Sequence, residues 1–120
     1  MQLSDLKEVQ VSINSLPYVP ETSEDWSSIG LSGGDCDSYA TRKFEELTKL
    51  GWTSEYLRLA TCFSFPTGAY HCVLLADFES HTYVLDNMEY YVLRYEFCKH
   101  RWHKIQIAGT QDWETVNGNG

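Results

Sequence analysis

Positive charge is scarce in this sequence of 120 residues. Nine lysines and arginines stand against seventeen aspartates and glutamates, which gives a formal net charge of -8 and a pI near 4.8. Because a surface of this sign repels phosphate backbones, we expect no nucleic acid among the partners of the protein.

Long apolar runs are absent as well. No stretch approaches the roughly 20 apolar residues that span a bilayer. The first residues, Met1 to Asp5, lack the basic start and the apolar middle of a signal peptide. We therefore expect no membrane partner and a cytoplasmic location.

Cysteines are few and widely spaced. The sequence has four of them, and no two stand at C-x-x-C spacing. This excludes the disulfide-dense scaffolds of small secreted proteins and favours reduced thiols. The even number still allows two disulfide bridges, in any of three pairings.

The apolar content suffices for one domain. Hydrophobic residues make up 42% of the sequence and aromatic residues 14%, enough for one core at a length too short for two ordinary domains. We predict a single domain over residues 1–120. Residues 1–20 are predicted to form a helix and a linker, because apolar residues recur every three or four positions, with Ser4 and Asp5 as cap candidates, until Pro17.

The clearest helix of the sequence follows the flexible pair Gly33 and Gly34. Asp35 is a candidate N-cap, and Gly51 is a typical stop. Between them, one face at helical spacing carries Cys36, Tyr39, Ala40, Phe44, Leu47 and Leu50.

The remainder of the sequence has the pattern of β-strands. Strand-like segments cover residues 57–63, 70–76, 82–85, 90–95 and 102–107. The second and third form a predicted hairpin, and the aromatic-rich stretch 83–97 is expected to supply a sheet face and part of the core. Residues 112–120 are expected to form a flexible polar tail. A helix followed by antiparallel strands predicts the α+β class.

One set of residues in this order has the chemistry of a thiol enzyme. Cys36 stands at the start of the predicted helix, where the helix dipole and unpaired N–H groups favour a thiolate. His71 begins a predicted strand, and Asp86 ends the next one. If the first strand lies beside the helix start, His71 presents its imidazole to Cys36 while Asp86 accepts the second imidazole N–H.

Each of these residues alone also fits a purely structural role, as a buried thiol, a core histidine or a turn aspartate. Cys62, Cys72 and Cys98 lie in or beside strand-like segments, and we assign them to packing. A zinc site on Cys98, His100 and His103 is disfavoured, because alternation along a strand places the two histidines on opposite faces and no second ligand pair has a usual spacing.

Four ordered blocks of the sequence together resemble the bacterial transglutaminase-like cysteine proteinases. These blocks are Gly33 to Ala40, Leu57 to Leu59, His71 at the start of an apolar strand, and Val84 to Asn87. The resemblance extends from about Trp26 to Gln106. The family includes periplasmic proteases that release biofilm adhesins. The resemblance implies a papain-like transglutaminase core, with the nucleophile at the N-terminus of a central helix that packs on an antiparallel sheet.

The resemblance also implies an activity and the residues that perform it. Cys36 would be the nucleophile, His71 the general base and acid, and Asp86 the orienting carboxylate of a cysteine peptidase or amidase. The implied reaction cleaves an amide bond in a protein or peptide through an acyl-enzyme. We expect the Cys36 backbone N–H and the indole N–H of Trp26 to hold the oxyanion, although Trp26 also fits a role as an apolar anchor.

The sequence departs from the family after the nucleophile. Family members commonly carry Glu and Asp where this chain has Asp37 and Ser38, and they have a longer N-terminal region. The short chain without an export signal suggests a stand-alone core that is phage-encoded or works in a bacterial cytoplasm.

Two acids flank the predicted nucleophile. Asp35 and Asp37 would repel a thiolate, and a bound cation would remove that conflict. The resemblance implies calcium at these acids, with Asn87 as one further oxygen ligand. The alternative interpretation is that acids in a first helical turn simply complement the helix dipole.

Two further functions remain open at this point. A transglutaminase-type acyl transferase would use the same three residues with an amine in place of water. A non-catalytic module that binds calcium or a protein would retain the fold alone, and the intact Cys36, His71 and Asp86 argue against it.

Overall fold

Two helices pack on one face of a six-stranded antiparallel sheet in the computed structural model, which describes residues 1–15, 35–65 and 67–116. For residues 35–38 it describes the backbone alone. The helices are α1 (Leu3–Asn14) and α2 (Asp35–Lys49). The strands, in chain order, are β1 (Leu57–Phe63), β2 (Tyr70–Phe78), β3 (His81–Leu85), β4 (Leu93–Arg94), β5 (Arg101–Gln106) and β6 (Trp113–Thr115). This architecture confirms the predicted α+β class.

The sheet has the order β4-β3-β2-β1-β5-β6, so β2 and β1 are its central strands. Successive side chains of β2 point to opposite faces. Cys72, Leu74 and Ala76 pack under the helices, whereas Val73 and Leu75 join Cys62 in a second cluster on the other face. Because both faces of β2 are covered, its sequence is continuously apolar instead of alternating.

Helix α2 covers Asp35–Lys49, and the predicted stop, Gly51, lies in the turn that terminates it. Gly51 adopts φ +102°, and the N–H of Trp52 donates to the carbonyl of Leu47 at 3.0 Å, which closes a Schellman motif. Leu50 occupies the last position before this turn and is exposed, so its predicted place on the buried face is wrong. Lys43 is buried on the helix instead.

Helix α1 is also present at the predicted place. Its first turn is capped by Asp5, whose carboxylate accepts the N–H of Gln2 at 3.0 Å, while the hydroxyl of Ser4 donates to the Gln2 side chain. Leu6, Val9 and Ile13 are buried against α2 and the sheet. In the part of the chain that the structure describes, no helix has the length and apolar character that crossing a membrane requires.

The second half of the chain departs from the prediction at both edges of the sheet. The predicted strand 90–95 is reduced to Leu93–Arg94, because Tyr90 and Tyr91 lie in the turn before it with about 70% exposure (67% and 70%). The expected flexible tail contains β6, which pairs with β5 after the chain reverses at Gly109 (φ +77°). The exposed side chains of β6 explain why its sequence resembles a tail: backbone hydrogen bonds, and not burial, hold it.

Candidate active site

The hairpin of β2 and β3 brings His71 and Asp86 into contact. His71 is the second residue of β2, and Asp86 directly follows β3, which pairs with β2 in antiparallel register. The His71 Nε2 atom lies 2.7 Å from Asp86 Oδ1, and both side chains are buried. The structure thus brings together two of the three residues that the sequence singled out for catalysis.

A second histidine binds the other oxygen of the same carboxylate. His100 Nε2 lies 2.7 Å from Asp86 Oδ2, and the backbone N–H of Met88 donates to Oδ1 at 2.9 Å. Burial alone would raise the pKa of Asp86, but the hydrogen bonds from His100, His71 and Met88 outweigh it and hold the pKa of this carboxyl well below its usual range. Asp86 is therefore a buried anion that is stabilised by its neighbours.

The hydrogen bonds of His100 determine its tautomer. The backbone N–H of Phe65 donates to His100 Nδ1 at 3.0 Å, so Nδ1 carries no hydrogen. The hydrogen of the neutral ring is therefore on Nε2, which donates to Asp86. Both ring nitrogens of His100 are engaged by the protein itself.

Sequence reasoning considered His100 only as a zinc ligand and missed its contact with Asp86. The signal lies in the register of the sheet: Cys62 of β1 is paired with His71 on one side and with Trp102 on the other. A residue just before β5 is therefore close to His71, although 29 positions separate the two histidines in the chain. This register depends on the strand order, which the sequence alone does not reveal.

Helix α1 supports the turn that follows Asp86. Gln10 Nε2 donates to the carbonyl oxygens of Asp86 and Glu89 at 3.0 and 2.7 Å. Asn14 Nδ2 donates to the same two carbonyls, each at 3.0 Å. Two amide side chains of one helix thereby fix the backbone that carries the carboxylate.

Helix α2 contributes a buried lysine behind this turn. Lys43 Nζ donates to Gln10 Oε1 at 2.7 Å, and the residue has no exposed surface. Desolvation lowers the pKa of Lys43 to about 7, although the negative charge of Asp86 acts in the opposite direction. The sequence contains a signal for the burial of Lys43. This lysine stands three residues after the buried Ala40 and four before the buried Leu47, so it interrupts the apolar stripe of the helix.

The other predicted site residues lie in the first turn of α2, directly after Asp86, or outside the described residues. Cys36 and the flanking Asp35 and Asp37 are in the first turn of α2 by their backbone, and α2 packs on β2. Trp26 lies outside the described residues. Asn87, which follows Asp86, has a buried Oδ1 with no hydrogen-bond partner among the residues that the structure describes.

The three remaining cysteines and the last histidine have packing roles. Cys62 and Cys72 are buried in the two clusters on either face of the sheet, and Cys98 packs against the edge of one of them, as predicted. His103 contacts the Phe63 and Tyr70 rings and so lies away from Asp86. It is not part of the group that His71, Asp86 and His100 form.

A cavity of about 300 Å³ borders the Asp86 carboxylate and His100. Its rim includes two exposed aromatic side chains, Phe65 and Phe97, and the Lys99 ammonium lies 5.5 Å from the centre of the Phe65 ring. In the aromatic-rich stretch 83–97, Tyr83 and Tyr95 pack against the core as predicted, whereas Phe97 is exposed at this rim. A partly apolar cavity beside a buried ionised carboxylate is typical of a ligand site.

The sequence model described as bacterial transglutaminase-like cysteine proteinase matches residues 2–120. The chain belongs to this family. It is accordingly a member of a cysteine proteinase family, which confirms the resemblance carried by the four sequence blocks. A comparison with curated proteins finds no match.

Three solved structures share the fold of this chain. Calcium-bound LapG of Legionella pneumophila superposes with a TM-score of 0.75 at 22% identity, over 94% of this chain and 68% of that one. EGTA-treated LapG of the same organism gives a TM-score of 0.74 at 22% identity, over 98% and 68%. A third LapG structure gives 0.75 at 23% identity, over 97% and 70%. The transglutaminase-like arrangement of two helices on an antiparallel sheet is therefore common to these chains.

Proposed function

We propose that this protein is a cysteine peptidase or amidase that cleaves an amide bond through Cys36, His71 and Asp86. The observation that carries the proposal is the buried contact of 2.7 Å between His71 and Asp86. A cysteine proteinase uses a histidine, oriented by a carboxylate, to take the proton of its nucleophilic thiol. Cys36 is the proposed thiol, because it stands at the start of the helix that packs on the strand of His71.

The hydrogen bond to Asp86 determines which role each ring nitrogen of His71 has in the proposed reaction. Asp86 engages Nε2, so the proposed proton exchange with the Cys36 thiol uses Nδ1. A negative carboxylate at Nε2 stabilises the imidazolium that forms when the thiol gives up its proton. Since the pKa of Asp86 is held low by its hydrogen bonds, the carboxylate stays ionised throughout.

The proposed reaction has two halves. The Cys36 thiolate attacks the amide carbonyl carbon, and the tetrahedral intermediate collapses to a thioester as the leaving amine takes the proton from the His71 imidazolium. Water then loses a proton to His71 and attacks the thioester carbon, which releases the carboxylic acid and restores the thiol. The backbone N–H of Cys36 and the indole of Trp26 are the proposed donors to the oxyanion.

The proposed substrate is a protein or peptide. We infer that part of the substrate occupies the cavity beside Asp86 and His100, where Phe65 and Phe97 offer apolar contact. The acidic net charge of -8 disfavours strongly acidic peptides.

Calcium is proposed as a structural ion next to the nucleophile. LapG, which shares the fold, has a calcium-bound and an EGTA-treated structure. The residues of this chain fit such an ion, because oxygen ligands are what calcium requires, and the buried Asn87 Oδ1 is an oxygen without a described partner next to Asp86. Asp35 and Asp37 would supply the charge, and the ion would offset their repulsion of the thiolate.

The decisive experiment compares thiol labelling of the wild type with that of Cys36→Ala. Iodoacetamide is applied at neutral pH to the folded protein, and the modified cysteine is located by peptide mapping. We expect Cys36 to react much faster than Cys62, Cys72 or Cys98, and peptide cleavage to disappear in Cys36→Ala. Faster labelling of another cysteine in the folded protein would disprove the assignment, and product that contains an added amine would indicate acyl transfer instead of hydrolysis.

A further inference from the structure

We propose that His100 is a positioning residue that holds the Asp86 carboxylate for His71, an inference that rests on the proposed function. His100 donates to one carboxylate oxygen while His71 binds the other, each at 2.7 Å. Both imidazoles and the carboxylate are almost completely shielded from solvent, with side-chain exposures of 9%, 6% and 3% for His100, His71 and Asp86. Asp86 is thus the shared acceptor of two histidines with different tasks.

The two histidines differ in what their second nitrogen does. His100 Nδ1 accepts the N–H of Phe65, so this ring has no nitrogen left to take a proton from a thiol without breaking a protein hydrogen bond. His100 therefore acts through Asp86 and does not serve as the general base. The ring is oriented from both ends, by the backbone before β2 and by the carboxylate after β3.

Removal of the His100 donor would change the orientation of the Asp86 carboxylate that binds His71. Asp86 Oδ2 would become a buried acceptor without its described donor, and a carboxylate that is held through one oxygen can rotate about its Cβ–Cγ bond. Rotation moves Oδ1 away from the plane of the His71 ring. The proton on His71 would then be less strictly confined to Nε2, which leaves less unprotonated Nδ1 for the thiol.

His100 also connects the carboxylate to the rim of the cavity. Phe65, whose N–H binds His100, is one of the two exposed aromatic residues at that rim. A purely structural role for His100 would be to hold the segment of Phe65, whereas the positioning role requires the bond to Asp86. The two roles depend on opposite ring nitrogens and can be separated by substitution.

The amide side chains of Gln and Asn provide this separation. The amide nitrogen of Gln lies near the position of an imidazole Nε2, so His100→Gln retains a donor for Asp86 and loses the acceptor for Phe65. The amide of Asn lies near the position of Nδ1, so His100→Asn retains an acceptor for Phe65 and loses the donor for Asp86. His100→Phe removes both, and His103→Asn is the matched control in β5, the strand that begins directly after His100.

The test measures the rate of iodoacetamide labelling of Cys36 at neutral pH by peptide mapping. We expect His100→Asn and His100→Phe to lose about 10-fold, the size typical of one hydrogen bond to a charged group. His100→Gln and His103→Asn are expected to stay within a few-fold of the wild type. Retained labelling in His100→Asn together with loss in His100→Gln would overturn the proposal in favour of the structural role.

A spectroscopic measurement on the wild type guards against variants that fail to fold. Ring ¹⁵N chemical shifts above neutral pH show which nitrogen of each histidine carries the hydrogen. We expect the hydrogen of His100 on Nε2, and a His71 Nε2–H signal that shifts in His100→Phe. A hydrogen on His100 Nδ1 in the wild type would refute the proposal, whereas a Cys36 that labels no faster than a free thiol would refute the proposed function and leave the tautomer result intact.

Discussion

Lys43 Nζ lies 2.7 Å from Gln10 Oε1 in a position without solvent exposure. The other end of the Gln10 amide donates to the carbonyl of Asp86, so one side chain connects a buried amine to the turn that carries the carboxylate. Through this contact, both helices act on the backbone beside the candidate catalytic aspartate.

The buried amine makes stability depend on pH. The pKa of Lys43 is about 7 in the folded protein against an ordinary value of 10.5, so the unfolded chain binds more protons between these values. The free energy of unfolding therefore rises with pH across this window, and Lys43 contributes about 2 kcal/mol of the rise between pH 7 and 9. Urea denaturation at both pH values measures the free energy of unfolding of the wild type and of Lys43→Met. The variant should lack the contribution of Lys43 to the increase.

A second lysine of the same helix provides the control for this prediction. Lys49 is exposed and paired with Glu46, so Lys49→Met should keep the pH dependence of the wild type. Burial raises the pKa of Cys98, and this lowers the free energy of unfolding as the pH rises towards 9 and above. The effect of Lys43 is therefore read from the difference in pH dependence between the variants and the wild type. Equal slopes in wild type and Lys43→Met would contradict a deprotonated buried lysine.

Gln10 is expected to be one of the most sensitive positions of α1. Gln10→Met removes the donor to the carbonyls of Asp86 and Glu89 and leaves Lys43 without its acceptor. Buried polar groups without partners cost about 1–3 kcal/mol each, so we expect a loss of roughly 2–4 kcal/mol in the free energy of unfolding. Lys7→Met, on the exposed face of the same helix, should change it by less than about 0.5 kcal/mol. A loss no larger than that of the control would show that the turn after Asp86 does not depend on α1.

Substitution of His71 and substitution of Asp86 should leave different amounts of Cys36 acylation. His71→Ala removes the base and should lower Cys36 acylation by a factor on the order of 10³ or more. Asp86→Asn retains a polar group beside His71, and a misoriented imidazole still transfers protons occasionally, so some acylation should remain. Burst kinetics with a peptide ester measure both, with His81→Ala at the exposed end of β3 as the control. Full acylation by His71→Ala would exclude it as the base.

The structure explains which parts of this site were accessible to prediction. The hairpin that joins His71 to Asp86 is local, and its apolar pattern with a polar turn specifies both strands within 16 residues. His100 was missed because its position depends on β5 pairing with β1, a contact between distant segments that leaves no periodic trace. β6 was missed for another reason: its side chains are exposed, so its sequence resembles a tail although it pairs with the nearby β5. Lys43 was missed because a charged residue in a helix is usually solvated, and its burial requires the acceptor that Gln10 provides from another helix.

The proposed oxyanion donor is tested by a substitution that preserves packing. Trp26→Phe keeps an apolar aromatic ring and removes the indole N–H. If Trp26 donates to the oxyanion, turnover should fall by about 10²–10³ with little change in melting temperature. Cys36 labelling by iodoacetamide, which forms no tetrahedral oxyanion, should stay unchanged. Unchanged turnover would leave Trp26 as an apolar anchor.

The proposed calcium ion predicts a response in both stability and thiol reactivity. If Asp35, Asp37 and Asn87 bind the ion, chelator should lower the melting temperature and slow the labelling of Cys36, because the repulsion between two carboxylates and a thiolate returns. Asp37→Ala and Asn87→Ala should abolish both responses, whereas Asp112→Ala, an exposed acid near β6, should retain them. Asp37 is one methylene shorter than the Glu that family members commonly carry there, so calorimetric titration should extend into the millimolar range. No heat and no change in melting over that range would leave the helix dipole as the role of the acids. The thiolate would then depend on His71 alone, and its labelling should fall in His71→Ala whether or not calcium is present.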